Sequence, residues 1–452
     1  ALAVPMPTPA SPPLRANTPF RSTMPPGTMR RRRGRSPGAE LTGRSVDTSR
    51  SYDTATSGSS HRVSVGTVLL VTVCVLVAIV WRASNEWRTV YRSPIGAYVG
   101  AATLVGDPEL RGSGVVVVFR IEGWRYEATL YGANAWRARD HMQGETVRVS
   151  GIRERFSGTS PRYKLVRHVA GRLSRVTLGG DWAQGSALTR ATNRLRRLIA
   201  RGSAVLPVAD AALLLGLVIG DDRAQPREMR NAFRAAGLSH LTAVSGQNIA
   251  FVLAVFAPFL TRLRPRSRLI GTIAVLGAFS LMTRAEPSVL RAAAMAGLSA
   301  VVFAAGGRIT ARRTLFVSST VLAFCDPFLL WSVGFWLSFA ATLGLVTLTK
   351  PCERLLTRLR FPPMLATPLS TSLAAQLGTL PVMIVSFGRV ARFGLLANLL
   401  AVPVAGAVML AGLPLCAIAG LLGGPVASLI MSPVLLGVRY VWWVAVIVAR
   451  IS

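Results

Sequence analysis

The densest concentration of reactive side chains lies in residues 217–249, LVIGDDRAQPREMRNAFRAAGLSHLTAVSGQNI. Asp221, Asp222, Arg223, Arg227, Glu228 and Arg230 stand between two apolar segments, followed by Gly237-Leu-Ser-His240 and then Ser245-Gly246-Gln247-Asn248. Ionised groups beside apolar sequence are costly to desolvate, so they are retained where they pair or face a water-filled cavity. His240 and Ser245 supply the two members of a base–nucleophile pair. They stand five residues apart on a turn and a helix start, with no third group to orient the imidazole. An intramembrane serine hydrolase therefore needs more than this sequence supplies. Close helix packing, or exposure of backbone N–H groups, accounts for Ser245 and Gly246 more simply.

Three polar residues recur later inside apolar runs. Arg291 sits where an ionisable group is either functional or paired, with Glu286 as the nearest neutralising carboxylate or a phosphate as its partner. Gln376 and Asn398 suit interhelical hydrogen bonding or contact with a polar solute. Earlier in the chain, Trp124 and Tyr126 alternate with Arg125, and Arg120, Arg137 and Arg139 add charge nearby. Aromatic rings beside Arg make stacking platforms for unpaired bases. Here Trp124, Tyr126, Ala128 and Leu130 share one strand face and are expected to fill a core, leaving the arginines to guide phosphates. Cys74, Cys325, Cys352 and Cys416 show no C-x-x-C or Cys/His spacing, so no metal, cofactor or disulfide framework is indicated.

The elements that must hold these residues follow from composition. The 452 residues are 51% hydrophobic yet carry a net charge of +33. Membrane proteins resolve that conflict by placing apolar runs in lipid and arginine in loops. Lys164 and Lys350 are the only lysines; base composition explains much of that bias, and a guanidinium also fits phosphate better than an ammonium does. Residues 1–61, rich in Pro, Ser, Thr and Arg, are expected to be disordered. Residues 64–82 read as an N-terminal span with the chain start in the cytoplasm, because the arginine cluster precedes it. Residues 93–178 show short alternating runs around Glu122-Gly123 and predict a small extracytoplasmic β-barrel, OB-like, with 163–169 among its strands. Residues 186–204 place Leu188, Leu195 and Ile199 near one face of an amphipathic interfacial helix. Residues 205–452 read as a multi-helix membrane domain, with 210–220 too short to span and 241–260 a full span. Pro381, Pro403 and Pro414 are expected to break helices around a cavity. The fold class is a polytopic α-helical membrane protein with an N-terminal span and a small OB-like β domain.

Residues 217–249 resemble the segment of ComEC-type competence proteins that reads GL-SHLLAVSGLH after a Gly-Asp turn and a charged amphipathic helix. Three later stretches resemble that family in the same order: Pro287-Ser288 through Arg291-Ala292, Asp326-Pro327 through Ser338-Phe-Ala340, and Gln376 through Pro381, Phe387-Gly388, Asn398 and Pro403. Asn248 stands where the family usually has His, and Trp336 where Gln commonly precedes Leu-Ser. Many members end in a metallo-β-lactamase-like domain, whose His-rich motif this sequence does not contain.

The resemblance implies a channel, not an enzyme, that carries single-stranded DNA across the bacterial cytoplasmic membrane in natural transformation. Its partners would be the DNA, membrane lipid, a DNA receptor and a cytoplasmic translocation ATPase. The implied path runs by Asp221, Arg223, His240, Ser245, Gly246, Asn248, Arg291, Gln376 and Asn398. A transporter for a small solute or a lipid-linked substrate, using the same cavity, is the alternative.

Overall fold

The structure is a computed structural model that describes residues 65–156, 164, 166–243, 245–388 and 393–451. The basic segment 1–61 lies outside the described residues. The first element is a long helix, α1 (Val65–Tyr91), continuing well past the apolar run that begins it.

Six strands follow: β1 (Gly96–Leu104), β2 (Glu109–Arg111), β3 (Gly114–Ile121), β4 (Trp124–Leu130), β5 (Thr146–Glu154) and β6 (Val169–Ala183). They form one sheet in the order β1-β5-β6-β4-β3-β2, and β1 pairs with β3 as well. Period-two alternation directs Val115, Val117, Phe119 and Ile121 of β3 and Tyr126, Ala128 and Leu130 of β4 into a common core. Glu122 and Gly123 join the two strands with φ of 49° and 87°, the twist of a two-residue hairpin whose handedness matches its strands. β4 runs parallel to β6, and a short helix, α2 (Gly132–Arg139), connects β4 to β5. Of the run 163–169, expected as a strand, Lys164 and Val166 are helical, and β6 begins only at Val169. Register shifts against β5 interrupt the alternation of β6, which hides its true length from a periodicity reading.

The remaining helices make a second core. Helix α3 (Ala187–Ser203), capped by Ser186, turns Asn193, Arg196, Ile199, Gly202 and Ser203 inward, while Leu188 and Leu195 are exposed. Helix α4 (Val208–Ile219) is buried along most of its length and stops at Gly220, whose φ of 69° closes the last turn. Then come α5 (Arg227–Ala235), the single turn α6 (Ser239–Thr242), α7 (Gly246–Leu260), α8 (Pro265–Met282), α9 (Pro287–Ala304) and α10 (Ala311–Cys325). A 3-10 turn (Pro327–Trp331) leads into α11 (Val333–Arg358), α12 (Pro363–Phe387), α13 (Gly394–Leu422) and α14 (Gly424–Ile451).

Among the described residues, five helices are long and apolar enough to cross a membrane: α9, α11, α12, α13 and α14. Residues 241–260, expected as one span, are divided between the four-residue α6 and the 15-residue α7, which falls short of a spanning length. The prolines do not break the helices: α12 continues through Pro381, and α13 through Pro403 and Pro414. Proline keeps a helical φ and removes one hydrogen bond, which a helix packed among others tolerates. Helices α11 and α12 pack at backbone distance where Gly344 meets Gly378, and α3 meets α13 in the same way at Gly202 and Gly420.

Candidate functional site

A cavity of about 3550 Å³ separates the sheet from the helices. Arg125, Glu127 and Lys164 line it from the sheet side, while Gln376 and Asn398 line it from α12 and α13. Of the helical-domain residues singled out from sequence, Asp221, Arg223, His240, Ser245, Gly246, Arg291, Gln376 and Asn398 all face this space. Asn248 does not: it is buried, its Nδ2 donates to the Leu217 carbonyl at 3.1 Å, and its Oδ1 accepts from Ser245 Oγ at 3.2 Å. Of Arg120, Arg125, Arg137 and Arg139, the arginines singled out in the sheet domain, only Arg125 lines the cavity. Arg120 is exposed elsewhere, Arg137 donates to the Leu178 carbonyl at 3.2 Å, and Arg139 lies over the Trp136 ring at 5.1 Å.

One wall of the cavity is an ion-pair cluster built from four separate segments. Asp107, on the β1–β2 connection, accepts from Arg284 at 2.6 and 3.0 Å, from Arg196 at 3.1 Å and from the Gln143 backbone N–H at 2.9 Å. Asp221 accepts from Arg223 through both carboxylate oxygens at 2.7 Å and from Arg196 at 2.9 Å. Arg196 also donates to the Met282 carbonyl, and Arg284 to Asn193 Oδ1. Burial alone would raise the Asp107 carboxyl, but Arg223, Arg196 and Arg284 outweigh it and hold its pKa below the usual carboxylate value. Asp221 is depressed against the same burial, chiefly by its hydrogen bonds from Arg223, and Arg223 is raised in turn by Asp221 despite its own desolvation. Asp222 and Glu286, also on the cavity wall, are pushed up by burial.

Asp107, Arg196 and Arg284 were not among the residues the sequence pointed to. A Gly-Asp-Pro turn between strands and arginines on an amphipathic helix are ordinary surface features when read locally. The one available signal was helical spacing, since Asn193, Arg196 and Ile199 recur three apart on one face.

Deeper in the cavity, Arg291 is only 4% exposed. Its Nε donates to Ser338 Oγ at 3.0 Å and its Nη1 to Thr342 Oγ1 at 2.7 Å; Nη2 also reaches Ser338 Oγ, and Met295 Sδ lies 3.4 Å from Nη1. Among the described residues no carboxylate lies within ion-pairing distance of this guanidinium, and Glu286 does not neutralise it. Ser245 and His240 are not brought together: the Ser245 hydroxyl bonds Asn248, and His240 Nδ1 lies 3.2 Å from the Gly237 carbonyl. Asn398 Oδ1 is buried without a partner among the described residues. The geometry is that of a cavity lined by cationic and amide groups, with Ser245 and His240 held apart in it.

A family model described as "Competence protein" matches residues 217–452, which contain the cavity-lining residues from Asp221 to Asn398. The chain is 28% identical over 211 residues to ComE operon protein 3 of Bacillus subtilis (strain 168), covering 46% of this chain and 26% of that protein. Competence protein ComA of Neisseria gonorrhoeae is 29% identical over 189 residues, 38% of this chain and 26% of the relative. The uncharacterized protein YcaI of Escherichia coli (strain K12) is 27% identical over 260 residues, 54% of this chain and 33% of the relative. The aligned segments therefore span no more than 33% of these relatives' own lengths. No solved structure matches. With more than half of its residues inside the family model, including Asp221, Arg291, Gln376 and Asn398 of the cavity lining, the chain belongs to the competence protein family.

Proposed function

We propose that this chain forms the channel for single-stranded DNA across the cytoplasmic membrane during natural transformation. The observation that carries the reading is Arg291, a buried guanidinium without a carboxylate partner among the described residues, facing a cavity of about 3550 Å³. A polyanion crossing lipid needs a protein-lined aqueous route in which cations and amides replace water around phosphate. Contacts must also release, and hydrogen bonds to Ser338 and Thr342 hold Arg291 without committing its charge.

Incoming DNA meets the sheet domain first in this reading, passes Arg125 and the Asp107–Arg223 wall, and reaches Arg291, Gln376 and Asn398. The pairing of β1 with both β5 and β3, the parallel β4–β6 pair and the helix between β4 and β5 support an OB-like barrel, a fold that commonly binds unpaired strands. The uncharged apolar start of α1 supports an N-terminal span with the sheet outside the cell. A DNA receptor and a cytoplasmic translocation ATPase are the partners such a route requires.

Uptake of labelled DNA into DNase-protected cytoplasm tests this. Deletion of the gene is expected to abolish uptake, and Arg291→Ala in a chain that still reaches the membrane to impair it. Unchanged uptake in the deletion would sink the DNA reading and put a small-solute or lipid-linked transporter in its place.

A further inference from the structure

We infer that Arg291 and the N-terminus of α7 together form a seat for a single phosphate group within the cavity. The inference rests on the channel reading only for the source of that phosphate, the backbone of a polynucleotide.

The first half of the seat is Arg291 itself. A guanidinium carries five N–H donors. Ser338, Thr342 and Met295 account for four of them, which leaves one N–H on Nη2. Both hydroxyl partners come from α11, so the group is anchored from one side and its remaining donor is held in place. An ideal Cβ built on Gly246 would lie 3.5 Å from this same Nη2 and 3.0 Å from Ala292 Cβ. Glycine at 246 thus keeps the start of α7 clear of Ala292 while leaving it beside the guanidinium.

The second half is the start of α7, a helix of 15 residues. The first N–H groups of any helix lack intrahelical acceptors, and a side chain at the N-cap ordinarily satisfies one of them. Ser245 occupies the N-cap but makes no such bond, because its hydroxyl turns to Asn248, which is pinned to the Leu217 carbonyl. Among the described residues, the Gly246 and Gln247 N–H groups have no acceptor, and both residues line the cavity. A helix N-terminus and a guanidinium place two positive sources side by side, which is unfavourable unless an anion joins them. A tetrahedral oxyanion meets the geometry, with one oxygen toward Nη2 and another toward the α7 N–H groups.

The test uses the purified full chain in detergent, a fluorescent oligothymidylate and inorganic phosphate as separate probes, and two variants. Arg291→Gln removes the charge. Ser245→Asp installs a carboxylate at the N-cap, which neutralises the seat while favouring the helix, so thermal stability is retained. For the unmodified chain, log affinity for the oligothymidylate falls linearly with log salt. Each variant is expected to reduce that slope by about 0.7, the value for one phosphate contact on a single strand, and to weaken binding about tenfold. Unaltered slope and affinity in Ser245→Asp would overturn the seat and leave the channel reading intact. Binding of inorganic phosphate that both variants lose, in a chain that ignores the oligothymidylate, would keep the seat and overturn the channel reading. A chain that binds neither probe overturns both. Should Arg291→Gln fail to fold, Ser245→Asp decides alone.

Discussion

Asp107 accepts from two arginines and a backbone N–H with its side chain only 5% exposed, so its charge is the counterweight for a cluster with one more guanidinium than carboxylate. Asp107→Asn keeps the shape and leaves Arg196, Arg223 and Arg284 with Asp221 alone. Breaking a buried pair from one side costs about 3–5 kcal/mol, which thermal unfolding in detergent will read as a clear loss of stability. Arg284→Gln introduced into Asp107→Asn is expected to restore part of that loss, since it removes one of the stranded charges; an additive double variant would mean the two do not interact. The sequence exposed Arg291, Asp221 and Arg223 because each is a charge out of place in apolar surroundings. It did not expose Asp107, whose partners lie 89 and 177 residues away. No local pattern encodes a pairing at that separation, and only the folded chain brings the two ends together.

Elements were legible where their pattern is local. The Glu122-Gly123 turn, the buried alternation of β3 and β4, and the long apolar runs of α11 to α14 all follow from neighbouring residues. β6 escaped because shifted register spoils its period, and the continuity of α12 and α13 escaped because proline reads as a break until surrounding helices are known. The contact between α11 and α12 has the same character. A Cβ at Gly378 would lie 2.5 Å from the Ala340 carbonyl oxygen and 2.9 Å from Gly344 Cα, both backbone atoms that cannot yield without moving a helix. Gly378→Val is therefore expected to destabilise by more than the roughly 1–3 kcal/mol typical of overpacking. Gly277→Ala on α8, where an added Cβ meets nothing within 4 Å, should be neutral or slightly stabilising, by up to about 1 kcal/mol. Equal melting temperatures for the two variants would show that α11 and α12 do not depend on this crossing.

At the scale of the whole molecule, two of the junctions that tie the sheet domain to the helices carry different chemistry. One is the ionic Asp107 cluster; in the other, His168, just before β6, lies 3.2 Å from Asp326 and edge-on to the Phe328 ring at 4.8 Å. The first junction makes cohesion depend on pH in a direction the carboxylates fix. Asp107 and Asp221 have pKa values depressed by their arginines, so their contribution is present above the unfolded carboxylate value of about 3.9 and is lost as pH falls through the folded values. Asp222 and Glu286 are raised by burial, so they work the other way: their ionised forms are disfavoured in the fold, and protonating them as pH falls relieves that cost. Acidification should first protonate Asp222 and Glu286 with stability held or slightly increased, and only below the ordinary carboxylate range should the Asp107 cluster fail and the melting temperature drop. Melting curves across this range, compared with Asp107→Asn and Glu286→Gln, separate the two contributions. Asp107→Asn is expected to start lower and to lose less on further acidification, because part of its cluster is already gone, whereas Glu286→Gln should remove part of the early plateau. A low-pH fall of the same depth in Asp107→Asn as in the unmodified chain would place the acid-sensitive junction elsewhere in the molecule.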